Sequence, residues 1–207
     1  MAARSPRLDD AIARIDRANA DDPHAEGEGA AARPKELVYG ERMSAWLARL
    51  APEASEALQL ACRAQHIRRW QVPRADFALD RGGYQKWRTT LARFHADTVS
   101  EILRAAGYDE SLIARVAALV RKEKYKTDTE AQTLEDAACL VFLENHFAEF
   151  AANKDEAKLV DILQKTWRKM SAQGQQAALT IKLPENLMQL VDKALAGEVT
   201  NEKANPP

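Results

Sequence analysis

Four titratable side chains sit where helical periodicity puts core residues. His66 follows Gln65 at the end of an apolar helix face, His95 stands in Arg93-Phe94-His95-Ala96-Asp97, and Glu135 and Asp136 interrupt the run Leu134, Ala137, Ala138, Leu140, Val141. Such groups cost free energy inside a core unless they are paired or ligated. A single histidine in this setting is more often a satisfied structural residue, but several desolvated titratable groups in one helical core point to a site. Imidazole exchanges protons near neutral pH, so His66 and His95 are the candidate proton-transfer groups. Glu135, and Asp136 beside it, would orient His66 or accept hydrogen bonds from a sugar. The usual catalytic templates are missing: there is no Gly-rich phosphate loop, His-Glu-x-x-His, Cys-x-x-Cys or nucleophile elbow.

A second constellation is basic and aromatic: His66, Arg68, Arg69 and Trp70, then Arg81, Tyr84, Lys86, Trp87 and Arg88. Guanidinium forks grip phosphate or carboxylate in bidentate fashion, and Trp or Tyr stacks on a base or a guanidinium. The whole chain is balanced, with 30 Lys+Arg against 31 Asp+Glu and a net charge of −1. That balance argues against a general polyanion-binding surface. By segment it is uneven: eight Lys/Arg against two Asp between Arg63 and Arg93, and seven acids against four Arg in residues 1–30. The reading is one local site for a small anion bearing phosphate or sulfate, such as a nucleotide or phosphorylated metabolite. Its binding set is Arg42, Gln65, Arg69, Trp70, Arg81, Lys86, Trp87, Arg88 and Asp136; the competing reading is a solvated cationic rim around packed aromatics. Lys165, Trp167, Arg168 and Lys169 repeat the mixture on a later helix, where amphipathic helix ends often carry it.

Two alternatives use the same residues. In one, His66, His95, Glu135 and Asp136 hold a divalent ion that activates water against a phosphoester; otherwise no metal is expected. In the other, the chain is a non-enzymatic module whose basic segment docks an acidic protein or, ranked lowest, RNA. Whether the protein is catalytic stays open at this point.

The elements that must position these residues are helices. Thirty-nine alanines, eight glycines and no alternating run of Val, Ile and Thr predict an all-α fold. Helices are expected over 8–20, 34–52 (apolar face Leu37, Met43, Trp46, Leu47, Leu50), 54–70, 84–106 with Gly107 as cap, 109–124, 129–150 capped by Thr129 or Thr133, and 155–171. Residues 72–83 read as a loop, and an extended piece and a last helix follow Gly174. The expected organisation is an N-terminal helix and acidic loop (1–33), a helical core (34–152), C-terminal helices (153–198) and a disordered tail (199–207). No apolar run approaches the roughly 20 residues of a membrane span, and the start carries no apolar signal core. Cys62 and Cys139 lie in apolar helical patterns, as reduced core thiols do. A cytoplasmic protein with no membrane partner is expected.

Tyr39-Gly40-Glu41-Arg42-Met43, the stretch from Ala61 to Ile67, and the passage from Phe94 to Leu143 follow an order similar to that of the HD-domain superfamily of metal-dependent phosphohydrolases. That resemblance implies an HD-like all-α fold and phosphohydrolase-like chemistry, if there is catalysis. The metal motif does not carry over: Tyr39 stands at the first His, Gln65 and His66 at the His-Asp step, and Ala138 at the late Asp, while His95 matches an additional His of some HD enzymes. A closer resemblance rests on distinctive strings: Ile15 to Asn19, Pro34 to Leu37, Ala64 to Trp70, Asp80 to Arg88, Leu134 to Glu144, and Lys165 to Ser171. With these the chain resembles, over nearly its whole length, the family called domain of unknown function 4202. The family brings no established reaction. Some members carry a glutamyl-tRNA synthetase label, which this sequence does not support: Lys169-Met170-Ser171 is followed by Ala172, and there is no His-x-Gly-His.

Overall fold

Ser5 opens the first helix, α1 (Pro6–Ala20): its side chain accepts from the Leu8 amide, and Pro6 occupies the first turn, where a missing N–H costs nothing. The computed structural model describes residues 5–152 and 154–204, with side chains up to residue 196. The chain is all-α apart from one small hairpin, and divides into two compact units, residues 1–134 and 135–207.

In the first unit, α1 buries Leu8, Ala11 and Ile15, and α2 (Lys35–Leu50) buries Tyr39, Met43, Trp46, Leu47 and Leu50. Leu37, expected on that face, is half-buried, while Glu36 is buried instead. Between the two helices a two-residue antiparallel ladder pairs Ala25 with Pro34 and Glu26 with Arg33. Sequence reading gave no strand here because two residues carry no period. α3 (Glu56–Arg63), capped by Ser55, is much shorter than the expected 54–70. After Arg63 the chain tightens into turns, in which Gln65 gives its amide to the Cys62 carbonyl at 3.4 Å, and Arg68 takes a left-handed conformation (φ 49°) and gives its amide to Asn19 Oδ1 at 2.9 Å. The chain then makes two short 3₁₀ turns, at Arg69–Gln71 and Arg74–Asp76.

α4 (Arg81–Ala105) begins earlier than Tyr84, because Asp80 caps it through the Gly83 amide at 2.6 Å. A Cβ at Gly83 would lie 2.1 Å from the Ala78 carbonyl oxygen, so the Gly-Gly pair belongs to the helix start rather than to a loop. Gly107, at φ 78°, ends the helix as expected. α5 (Glu110–Val120) is shorter than expected, since Lys122 and Lys124 both adopt positive φ. α6 (Thr129–Val141) is capped by Asp128 rather than by Thr129 or Thr133: Asp128 Oδ1 accepts from the amides of Glu130 and Ala131. α3 and α4 both pack on α5, and α1 packs on α2, α3 and α4.

The second unit starts inside α6. The helix expected over 129–150 widens into a π turn at Phe142–His146 and resumes as α7 (Phe147–Ala151). α8 (Glu156–Trp167), α9 (Ala172–Ala178) and α10 (Glu185–Ala204) follow. The extended piece expected after Gly174 is instead the end of α9, followed by irregular backbone over residues 181–184. Leu140, Leu143, Phe147, Leu159, Leu163 and Met170 form its core, and Gln164 Nε2 donates to the Ala194 carbonyl. Of the tail, residues 199–204 continue α10; residues 205–207 lie outside the described ones. Cys62 and Cys139 are buried and form no disulfide, and burial pushes the Cys62 thiol up to about 12. Among the described residues no helix is long and apolar enough to cross a membrane.

Candidate functional site

The left-handed turn at Arg68 builds the site. Asn19, almost wholly buried at the end of α1, accepts from the Arg68 amide and donates through Nδ2 to the Glu36 carbonyl at 3.3 Å. One side chain thus ties the end of α1, the start of α2 and the exit from α3. Asp22 adds a second tie: Oδ2 accepts from the Glu36 amide at 3.0 Å, and Oδ1 accepts from the His24 amide. Together they bring the Glu36 side chain under His66, with Glu36 Oε2 3.3 Å from His66 Nδ1. The His66 ring stacks on Tyr39, centroids 3.8 Å apart and planes within 7°. Its Nε2 accepts from Arg69 Nη1 at 3.3 Å, since a guanidinium can only donate.

His95, from the middle of α4, lies beside this chain, its ring centroid 6.1 Å from that of His66. His95 Nδ1 donates to the Ile67 carbonyl at 2.7 Å, which leaves Nε2 as the nitrogen with a lone pair. Burial, with help from His66, pushes the His95 imidazole down to about 3, so the ring is neutral at physiological pH. Glu36 moves the other way. Burial pushes its carboxyl up to about 7; Arg69 opposes this, Asp22 adds to it, and His95 and Lys35 oppose it.

These residues open onto a cleft of about 700 Å³. Gln65, His66 and His95 line it, as do Arg69, Arg88, Arg121 and Lys122, with Tyr84 and Trp87 at the side. The Arg69 guanidinium sits 4.9 Å from the Trp87 ring centre, and Trp87 Nε1 donates to the Val72 carbonyl at 2.9 Å, pinning the loop to α4. Two side-chain polar atoms among the described residues are buried without a hydrogen-bond partner: Gln65 Oε1 and His95 Nε2. Both belong to side chains of this cleft.

Of the residues singled out in the sequence, the cleft brings together Gln65, His66, Arg69, Tyr84, Trp87, Arg88 and His95. Others stand elsewhere in the first unit. Arg42 lies outside the cleft lining, with both its Nη atoms on the Glu26 carboxylate, at 2.9 and 2.5 Å. Trp70 is half-buried in a 3₁₀ turn outside the cleft lining, and Arg81 and Lys86 are exposed on the first turns of α4. Glu135 and Asp136 belong to the second unit. There Asp136 accepts from the Ser171 amide at 2.8 Å and the Ser171 hydroxyl at 2.5 Å, and Glu135 lies 3.8 Å from Lys169 Nζ. Sequence reasoning missed Glu36, Asn19, Arg121 and Lys122. The Arg-Lys-Glu-Lys run after α5 was a legible signal for the last two. Glu36 gave none, because an acid in a first helical turn is ordinary. Among the described residues no three His, Cys, Asp or Glu side chains gather as a metal would need.

The chain belongs to the family described as domain of unknown function (DUF4202), whose model matches residues 9–191. No curated protein and no solved structure shows significant similarity to it.

Proposed function

We propose that this member of the family binds a small anion bearing phosphate or sulfate, such as a nucleotide or phosphorylated metabolite, in the cleft between the turn after α3, α4 and the turn after α5. The observation that carries the reading is the charge of the lining. Arg69, Arg88, Arg121 and Lys122 contribute four cationic groups, and no Asp or Glu is among the described lining residues. Arg121 also binds Glu123 outside the lining, at 2.6 Å. A concave site with cations along its wall and aromatic rings at its side fits a phosphate with a stackable or polar substituent.

His66 would be the proton-transfer group if chemistry occurs, because its two nitrogens already connect a carboxyl of raised affinity for protons (Glu36) to a cation of the cleft (Arg69). The stacking of Tyr39 on His66 supports the HD-like reading of the fold, since it joins the positions at which that resemblance puts the first His and the His-Asp step. Two buried cysteines outside any disulfide support a reducing compartment, here the cytoplasm.

Thermal unfolding of the full chain with inorganic phosphate, sulfate and a nucleotide panel tests the reading. A bound anion raises apparent stability by RT ln(1 + [L]/Kd), about 2.7 kcal/mol at a hundredfold excess over Kd. Arg88→Ala should weaken the best anion roughly tenfold, the worth of about one charge-assisted hydrogen bond. No shift with any anion at millimolar concentration overturns the proposal.

A further inference from the structure

His95 Nε2 and Gln65 Oε1 are the two buried side-chain polar atoms without a hydrogen-bond partner among the described residues, and they lie on side chains of one cleft. Both are acceptors. The Nδ1 proton of His95 is committed to the Ile67 carbonyl, so Nε2 offers a lone pair. The amide nitrogen of Gln65 faces the Val120 carbonyl at 3.5 Å, which turns Oε1 to the unpaired role. Buried polar atoms are almost always satisfied in a folded protein, and an exception asks for an explanation. Cations alone do not supply one. The charged oxygens that inorganic phosphate turns to Arg69 and Arg88 are acceptors and cannot fill these lone pairs.

We infer that the ligand is a phosphomonoester whose other end carries hydroxyl or amino donors, taken by His95 Nε2 and Gln65 Oε1 while the cleft's cations hold the phosphate. This rests on the anion-binding reading above and adds a polarity to it: donors at the floor, negative charge at the wall. The imidazole stays unprotonated far below neutral pH, so Nε2 accepts hydrogen bonds throughout the physiological range. Of the side chains that act on this imidazole, His66 and Glu36 are engaged with each other and Arg69 with His66.

Calorimetric titration of the full chain with three probes tests the inference: inorganic phosphate, methyl phosphate and ribose 5-phosphate. Ribose 5-phosphate should bind at least about tenfold more tightly than methyl phosphate, one donor pair satisfied at a buried acceptor being worth roughly that factor. Gln65→Met, which keeps the side chain's length and removes its acceptor, should cut that preference to a few-fold and leave methyl phosphate unchanged. His95→Phe should do the same; if it does not fold, Gln65→Met alone decides. Arg88→Ala should weaken all three probes together. Equal binding of methyl phosphate and ribose 5-phosphate, both weakened by Arg88→Ala, overturns this inference and leaves the anion site standing. A preference for ribose 5-phosphate that Gln65→Met does not reduce also overturns it. Failure of all three probes to bind sinks both.

Discussion

Both units bury a carboxyl at the start or middle of a helix, and the two treat it differently. In the second unit Asp136 is nearly inaccessible and its oxygens accept from the Ser171 amide and hydroxyl. Ser171 in turn accepts from the Gly174 amide, capping α9, and the helix comes so near that a Cβ at Gly174 would lie 2.6 Å from the Asp136 carboxyl carbon. The charge is absorbed in local structure. In the first unit Glu36 has only the imidazole of His66 at 3.3 Å, and burial raises its pKa to about 7. Beside it two acceptors are left over. A buried carboxyl whose oxygens are filled by amide and hydroxyl is part of a scaffold, whereas one paired with an imidazole, next to unpaired atoms, has capacity for a ligand.

The sharpest way to break this contrast is to remove Asp136. Asp136→Ala strands the amide and hydroxyl of half-buried Ser171, and hydrogen bonds to a charged group contribute about 1.5–3 kcal/mol each. We expect a loss of about 3 kcal/mol or more in urea unfolding, with anion affinity at the cleft unchanged in the fraction that stays folded. Gly174→Ala should act in the same direction by forcing a methyl against the carboxylate. If either variant leaves stability intact but alters anion binding, Asp136 belongs to the functional chemistry and the contrast fails.

Glu36 and His95 give a pH signature of opposite sign. A carboxyl raised from 4.5 to about 7 lets the folded state hold a proton that the unfolded state has lost, so its stabilisation is full below 4.5 and is lost as pH rises to about 7. An imidazole lowered from 6.5 to about 3 acts in reverse: its stabilisation is full above 6.5 and is lost as pH falls toward 3. Between about 4.5 and 6.5 the two slopes cancel. Glu36→Gln removes one of them, so the variant should lose about 1.4 kcal/mol per pH unit relative to wild type on acidification from 6.5 to 4.5. Denaturant midpoints at four pH values check this. A wild-type minus variant difference that is flat with pH would mean that Glu36 titrates as an ordinary surface acid.

The contrast also explains what the sequence could and could not yield. Helix content was legible because Leu8, Ile15, Met43, Trp46 and Leu47 repeat at helical spacing, and Gly107 marks a stop in plain text. The left-handed turn after α3 was not, since Arg68 looks like any helical arginine; its amide is held by Asn19, 49 residues away. The same holds for the site. His66, Arg69, Trp87, Arg88 and His95 announced themselves by type, but their distinction from Asp136 lies in who fills each lone pair. Gln65 and Asp136 both interrupt apolar faces, and only tertiary contacts leave one without a partner for its oxygen and give the other two donors.

The smallest expected effect compares two helix caps of the same kind. Asp80 caps α4 through the Gly83 amide, and Asp155 caps α8 through the Lys158 amide at 2.8 Å. Replacing a capping Asp by Ala costs about 1 kcal/mol, so both variants should lower stability by similar amounts. Their consequences for the cleft should differ. The first two turns of α4 carry Tyr84, Trp87 and Arg88, so fraying at Asp80 loosens one wall, whereas no residue of α8 lines the cleft. Asp80→Ala should therefore weaken phosphate or ribose 5-phosphate two- to fivefold, a shift of about 0.4–1 kcal/mol, while Asp155→Ala leaves affinity unchanged. Equal loss of affinity in the two would show that the cleft responds to overall stability, and the separate role given to the start of α4 would have to be withdrawn.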